Sequence, residues 1–343
     1  MTADRPVLLL CPTRNAIYDL RRSLPTWELI ADKIIVVDQN STDGTREFLQ
    51  SRDKVILVDN LSMEYDEVRR NTLLVDAARK FHHAAIHLTL DADEILSSNV
   101  LDSPEWNNFR HMEPGSVGEF SWVQLWKSPA KYIANGIGLP GRYRLAFIDD
   151  GRPVEGKKHM HEQRGVGVQR PERTFVFNDI VCLHYAWVNY QAAIRRNNWY
   201  KVHWVMRGAK SYHVNNRNHG WYRLVRDENL NVSPSNWTRG YISRGIDVTS
   251  KVDCSLYWWD VEVLKTFKMA GVKRFYPLDI WREVDWEQLR LIALANNIEG
   301  IDDKPIATAG LFWRNYHMLT VDGVDLRNFF AKAKRFVARK VLP

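Results

Sequence analysis

The chain has 343 residues, of which 45% are hydrophobic and 26% are charged. These proportions are typical of a globular protein with a buried core, and they exclude disorder as its main state. The formal net charge of +7 favours anionic partners such as nucleotide diphosphates, phospholipid head groups or nucleic acid, without choosing among them.

The first apolar run and the cysteines indicate the cellular compartment of the protein. Val7–Cys11 is too short for a signal peptide, and no stretch reaches the ~20 apolar residues that span a bilayer. The three cysteines are far apart and form no CxxC pair, which favours reduced thiols. We therefore expect a cytoplasmic protein, either free or resting on the inner face of the membrane.

Strand-like and helix-like patterns alternate over the first hundred residues. Four continuous apolar runs are typical of buried parallel strands: Val7–Cys11, Ile34–Val37, Val55–Val58 and Ile86–Leu90. One helix is predicted after Asp43-Gly44, and apolar spacings of three and four predict another within Tyr65–Phe81. This alternation predicts a doubly wound α/β sheet, which binds ligands at the carboxyl ends of its strands.

The pattern changes in the second hundred residues. Aromatic and β-branched runs, among them Val117–Trp126 and Phe175–Leu183, are interrupted by glycines and prolines and predict mixed strands and loops. The sequence beyond them is mainly helical in pattern. We expect a ligand-binding α/β domain over residues 1–190 and a mainly helical region over residues 191–343 that covers the ligand site.

The strongest local signal is Asp91-Ala92-Asp93-Glu94, which follows the fourth predicted strand. Alternation along a strand would place the carboxylates of Asp91 and Asp93 on one side, at the edge where ligands bind. Two carboxylates there are costly unless a cation or a hydrogen-bond network meets them, and Mg²⁺ or Mn²⁺ is the natural partner. The alternative is a solvated helix N-cap, because Asp is common at such turns.

A second signal is Val36–Thr45, in which a buried strand ends in Asp38 and a polar turn leads into a helix. Helix capping by Ser41, Thr42 or Asp43 explains the turn. It does not explain a carboxylate at the tip of the strand, which could accept a hydrogen bond from a nucleobase N–H.

Together these residues resemble the inverting family 2 glycosyltransferases of the GT-A fold. The resemblance rests on four segments between residues 6 and 190: Cys11–Asn15, Val36–Thr45, Arg69-Arg70-Asn71 and Asp91–Glu94. It implies a GT-A (Rossmann-like) mixed, mostly parallel sheet flanked by helices, a nucleotide-sugar donor, a divalent metal and inversion at the anomeric carbon. Two positions depart from the family: Gln39 replaces the usual second acidic residue, and Ala16 stands where many members carry Glu.

The resemblance also implies a role for each matching residue. Thr13 would line the nucleotide pocket, Asp38 would contact the base, and Arg70 would lie near the base or the phosphates. Asp91 would contact the ribose or the water shell of the metal, and Asp93 would ligate the metal.

Two later segments extend the resemblance to members that build lipopolysaccharide cores and related glycans. Arg142–Phe147 followed by Gly156–Glu162 is similar to their R-x-F and H-E motifs, in which the Glu is the general base. An inverting transfer needs a group that takes the proton of the acceptor hydroxyl, and Glu162, beside His161, could do so. The alternative is that His161 and Glu162 are ordinary surface residues. His184 ends an apolar strand, and members of the family often carry a metal-ligating His at this position. The alternative is a structural histidine.

Three further features concern the acceptor. Trp122 and Trp126, on a predicted strand, either stack on the acceptor sugar or fill the core. Over Val324–Pro343, apolar residues share one helical face among lysines and arginines. Such a basic helix either makes a peripheral contact with an anionic membrane or docks on the protein.

The predicted partners are therefore a nucleotide-diphosphate sugar and a glycan or glycolipid acceptor, with Mn²⁺ or Mg²⁺ as cofactor. A nucleotidyltransferase of related α/β layout is the main alternative, but it normally opens with a glycine-rich phosphate loop, and Pro12–Asn15 holds no glycine. A dinucleotide-binding dehydrogenase is disfavoured for the same reason. A basic nucleic-acid-binding protein is also disfavoured, because no known module matches and the positive charge is scattered apart from the tail.

Overall fold

The computed structural model describes residues 5–62, 66–136, 141–154, 173–208, 211–251, 254–310, 312–313 and 317. The chain forms two compact units. The sheet unit contains residues 1–134, 139–189 and 230–252, and the helical unit contains residues 135–138, 190–229 and 253–343.

Ten strands are found in the described part of the chain, all in the sheet unit. They are β1 (Val7–Thr13), β2 (Lys33–Asp38), β3 (Val55–Asp59), β4 (Ile86–Thr89), β5 (Glu94–Leu96), β6 (Ser116–Gln124), β7 (Lys131–Ile133), β8 (Arg142–Ile148), β9 (Arg173–His184) and β10 (Leu230–Val232). Eight of them form one sheet in the order β3-β2-β1-β4-β8-β6-β9-β5, and β7 pairs with β10 in a separate antiparallel ladder.

The large sheet is mixed but mostly parallel. Strands β1 to β4 run parallel to one another, and β6 runs parallel to β9. Strand β8 lies antiparallel between β4 and β6, and β5 is antiparallel to β9. The carboxyl ends of β1, β2, β4, β6 and β9 therefore lie at one edge of the sheet, which we call the carboxyl edge.

Helices cover both faces of the parallel strands. The α-helices of the sheet unit are α1 (Ile17–Trp27), α2 (Thr45–Gln50), α3 (Glu67–Phe81), α4 (Pro104–Arg110) and α7 (Arg239–Ile242). Successive side chains of a strand point to opposite faces, so a continuous apolar run buries both. On one face Leu9 and Val36 pack in a core with α1 and α4, and on the other Leu8 and Ile35 pack with α3.

The described part of the helical unit contains four α-helices of its own. They are α5 (Tyr190–Met206), α6 (Tyr212–Asn218), α8 (Trp258–Ala270) and α9 (Trp286–Ala295). The core of this unit contains the fully buried Lys201, whose Nζ donates to the carbonyl oxygen of Asp279 at 2.7 Å and to Oδ1 of Asn198 at 3.2 Å. Burial lowers the pKa of the Lys201 amine well below its ordinary value.

The structure confirms the predicted fold class. The sheet unit is α/β, its sheet is mixed and mostly parallel with flanking helices, and the described part of the C-terminal region is mainly helical, which is consistent with a GT-A (Rossmann-like) fold. The predicted helix within Tyr65–Phe81 corresponds to α3, where the side chain of Asp66 caps the backbone N–H of Arg69. No helix in the described residues is both long and apolar enough to cross a membrane.

Candidate functional site

The predicted acidic motif forms a tight turn between β4 and β5. The backbone N–H of Asp91 donates to Oε2 of Glu94 at 2.9 Å, and the backbone N–H of Glu94 donates to the carbonyl oxygen of Asp91 at 2.9 Å. Strand β4 already ends at Thr89, so the expected strand alternation does not position Asp91 and Asp93. The turn holds both residues at the carboxyl edge instead.

Asp93 and His184 come together at this edge. Oδ2 of Asp93 lies 3.4 Å from Nε2 of His184, and Asp93 is only 8% exposed. The backbone supports the contact, because the N–H of Tyr185 donates to the carbonyl oxygen of Asp93 at 2.8 Å. The two residues predicted to ligate a metal thus converge on one point, where a carboxylate oxygen faces an imidazole nitrogen.

Strand β6 supports the imidazole of His184 through two contacts. Oε1 of the buried Gln124 lies 2.7 Å from Nδ1 of the ring. The ring of Trp122 packs against the imidazole with centroids 4.2 Å apart. The indole N–H of Trp122 donates to Oε1 of the buried Glu94 at 2.8 Å, so Glu94 joins the β4–β5 turn to β6.

The two tryptophans predicted near the acceptor have different environments. Trp126 is 3% exposed and stacks on Trp187 with ring centroids 5.2 Å apart, which makes it a core residue. Trp122 is partly exposed and lies beside His184. Trp122 therefore remains the candidate for contact with an acceptor sugar.

The predicted nucleotide side of the site lies on β1 and β2. Thr13 ends β1 and is paired in register with Asp38 at the end of β2. The hydroxyl of Thr13 is buried and finds no hydrogen-bond partner among the described residues. Because buried polar groups are normally paired, a ligand atom would be a suitable partner for this hydroxyl.

The carboxylate of Asp38 is fully buried and has local partners. It accepts hydrogen bonds from the backbone N–H of Ser41 at 3.0 Å, from the Ser41 hydroxyl, and from Nη1 of Arg46 at 2.8 Å. Nη2 of Arg46 binds Oδ1 of Asp59 at 2.7 Å, and these hydrogen bonds, the one to Asp38 first, raise the pKa of the guanidinium. Asp38 therefore organises the turn after β2, and its contact with a base stays a prediction.

We expect Arg46→Met to lower the free energy of unfolding by about 1.5 to 3 kcal/mol, because it removes a charge-assisted hydrogen bond from a buried carboxylate. Asp59→Asn is the matched control. It removes the charge of the other partner of Arg46, but the side chain of Asp59 is 58% exposed, so the substitution should cost less than about 1 kcal/mol. Urea unfolding followed by tryptophan fluorescence measures both. Equal losses in the two variants would show that Arg46 does not stabilise Asp38 in this way.

The described contacts do not link the other predicted residues to Asp93 and His184. Arg70 lies in the first turn of α3 and forms an ion pair with Glu67. Glu162 and His161, the predicted base and its neighbour, lie outside the described residues, as does the predicted basic helix Val324–Pro343. Their roles stay predictions.

Among the residues that shape the site, Gln124 and Arg46 carry little signal in the sequence. Gln124 lies inside a predicted strand, and a buried glutamine among apolar neighbours was its only signal. Arg46 lies on α2 and looks like an ordinary charged helix residue, because its partner Asp38 belongs to the preceding strand. Both become visible only when strand pairing and helix packing are known.

The described residues offer two ligands for a divalent cation at the carboxyl edge. Among them, no three His, Cys, Asp or Glu side chains form a group that could hold a metal ion by themselves. Asp93 and His184 supply one oxygen and one nitrogen that converge, a donor set that suits Mn²⁺ when further oxygen ligands complete the coordination. The phosphates of a bound nucleotide and water would have to supply those oxygens.

Comparisons with known proteins give distant structural likenesses. No protein-family model matches the chain, and no characterised protein matches it in sequence. The crystal structure of residues 1–349 of Staphylococcus aureus TarS covers 89% of this chain and 100% of its own, with 11% identity and a TM-score of 0.36. The inositol-1-phosphate CTP transferase of T. maritima covers 54% of this chain and 90% of its own, with 9% identity and a TM-score of 0.30. At TM-scores below 0.5, these likenesses do not assign the chain to a family.

Proposed function

We propose that the protein is an inverting glycosyltransferase that moves a sugar from a nucleotide-diphosphate donor to a hydroxyl of a glycan or glycolipid. The observation that carries the proposal is the convergence of Asp93 and His184, 3.4 Å apart, at the carboxyl edge. Sheets of this class bind ligands at that edge. The buried hydroxyl of Thr13 at the end of β1, which has no hydrogen-bond partner among the described residues, supports a ligand there.

Asp93 and His184 would hold a divalent cation, Mn²⁺ or Mg²⁺. When bound, such a cation supplies positive charge that offsets the charge developing on a leaving diphosphate. The protein's own contribution is positioning: the β4–β5 turn fixes Asp93, and β6 fixes the ring of His184. Thr13, Asp38, Arg70 and Asp91 would bind the nucleotide sugar.

The transfer itself needs no covalent enzyme intermediate. The acceptor hydroxyl oxygen forms a bond to the anomeric carbon while the bond from that carbon to the phosphate oxygen breaks. The hydroxyl proton goes to Glu162, and the nucleoside diphosphate leaves with the electron pair of the broken bond. Attack opposite the leaving group inverts the anomeric centre. Basic residues of Val324–Pro343 would bring the protein to an anionic membrane if the acceptor is a glycolipid.

A donor screen tests this proposal. The protein is incubated with UDP-, GDP- and dTDP-sugars in Mn²⁺ or Mg²⁺, and released nucleoside diphosphate is measured with and without EDTA. We expect slow donor hydrolysis with at least one sugar nucleotide, and its loss in EDTA. Release of pyrophosphate from a nucleoside triphosphate and a sugar phosphate, without hydrolysis of any sugar nucleotide, would instead identify a nucleotidyltransferase.

Glu162→Gln tests the assignment of the base once an active donor is known. We expect the variant to bind the donor as the wild type does, because the amide keeps the shape of the side chain. Transfer should fall by about 10²- to 10⁴-fold, the usual contribution of general-base catalysis. Donor affinity is measured by calorimetry and transfer by released nucleotide. A normal transfer rate would show that another group takes the proton.

A further inference from the structure

The amide of Gln124 has only one orientation that satisfies its surroundings. Its Nε2 donates to the carbonyl oxygen of Leu125 at 3.0 Å and to that of His184 at 3.2 Å. Both partners are acceptors only, so the NH₂ group must face them. Oε1, the remaining atom of the amide, then faces Nδ1 of His184 at 2.7 Å.

This orientation determines where the imidazole carries its proton. An amide oxygen only accepts hydrogen bonds, so Nδ1 of His184 must be the donor and must carry hydrogen. In the neutral ring, Nε2 then has the lone pair. Nε2 itself lies 3.4 Å from Oδ2 of Asp93, so a positive charge between the two atoms would stabilise the pair.

We infer that Gln124 is a positioning residue that fixes the Nδ1–H tautomer of His184 and thereby presents Nε2 as a ligand toward a cation shared with Asp93. The inference rests on the proposed function for its consequence, the binding of a divalent cation. A histidine that ligates a metal usually donates its other ring N–H to a neighbouring acceptor, which fixes the ring and its tautomer. Here that acceptor is an amide that β6 keeps buried.

The position of Gln124 in the sheet supports this role. Gln124 and His184 are the last residues of β6 and β9 and are direct register partners in that parallel pair. Trp122, two residues earlier on β6, packs on the same imidazole. The strand therefore fixes the plane of the ring through Trp122 and its protonation pattern through Gln124.

The tautomer can be measured on the wild-type chain without any substrate. In ¹⁵N-histidine-labelled protein, long-range ¹H–¹⁵N correlation spectra distinguish a protonated from an unprotonated ring nitrogen, and the spectrum of His184→Gln assigns the resonance. We expect His184 to be protonated at Nδ1. A neutral ring protonated only at Nε2 would overturn the inference, whether or not the protein binds a metal.

Two variants test the consequence for metal binding. Gln124→Met keeps the volume but removes both the acceptor and the NH₂ donors of the amide, and Gln124→Glu, which also lacks the NH₂ donors, restores only the acceptor. We expect Mn²⁺ affinity, measured by electron paramagnetic resonance, to fall about 10- to 100-fold in the Met variant and to recover in the Glu variant. If the wild type binds Mn²⁺ and the Met variant binds it equally well, the role of Gln124 is refuted. If the wild type binds no Mn²⁺, the metal site of the proposed function is refuted, and the tautomer measurement still decides the inference about Gln124.

Discussion

Asp93→Ala is expected to reduce sugar transfer by at least about 10³-fold. The substitution removes the carboxylate that faces His184 and would leave the proposed cation with one protein ligand from this pair. A bound metal supplies several kcal/mol of transition-state stabilisation, and each 1.36 kcal/mol corresponds to a tenfold change in rate. The loss should appear in turnover at saturating donor, measured as nucleoside diphosphate released.

The control for this variant is Asp102→Ala. Asp102 is an exposed carboxylate in the same unit, so its removal changes the net charge by the same amount without touching the site. We expect its turnover to match the wild type within about twofold. Circular dichroism and thermal unfolding of both variants show whether the fold is retained. A folded Asp93→Ala variant that keeps full turnover would remove Asp93 from the mechanism.

His87→Leu is expected to make the protein more resistant to acid. His87 lies in β4 and is 2% exposed, and neither of its ring nitrogens finds a hydrogen-bond partner among the described residues. Burial lowers the pKa of its imidazole to about 4, with the charge of Asp149 opposing the shift and that of Arg79 adding to it. The folded state therefore keeps the ring neutral at a pH at which the unfolded chain takes up a proton.

The sign and range of this effect follow from the two pKa values. Stability is fully present above the unfolded value of about 6.5 and is lost as the pH falls from there to about 4. At about 1.4 kcal/mol per pKa unit, the wild type should lose up to about 3 kcal/mol relative to His87→Leu over this window. Urea unfolding at several pH values between 4.5 and 7.5 measures the difference.

His83→Leu, an exposed histidine of the same unit, is the matched control for removing an imidazole. We expect the stability gap between His87→Leu and the wild type to widen as the pH falls, and the gap for His83→Leu to stay constant. If the two gaps change with pH in the same way, burial of His87 does not cause the acid sensitivity.

The parallel half of the sheet could be predicted because its signals are local. The runs beginning at Val7, Ile34, Val55 and Ile86 are continuous apolar segments, and burial on both faces is what such segments require. The helix α3 was predicted from the spacing of its apolar residues, and it begins two residues after the predicted start. Strand β5 was missed, because its three residues follow the acidic turn and are stabilised by pairing with the distant β9.

The candidate site was predictable only in part. Asp93 and His184 each follow or end an apolar strand, which suggested a position at the carboxyl edge. Their contact depends on the pairing of β5 and β6 with β9, which no local pattern reveals. Gln124 and Glu94 were not predicted as supports of the site for the same reason, since their partners are contributed by other strands.

We propose that a divalent cation held by Asp93 and His184 links the protein to the diphosphate of its donor. Titration calorimetry with UDP, GDP and dTDP, first in Mn²⁺ and then in EDTA, measures whether the cation contributes to nucleotide binding. We predict that at least one of these nucleotides binds at least about tenfold more weakly in EDTA, and that Asp93→Ala in Mn²⁺ shows the same weak binding. If every nucleotide that binds does so with the same affinity in Mn²⁺, in EDTA and to Asp93→Ala, this proposal is contradicted.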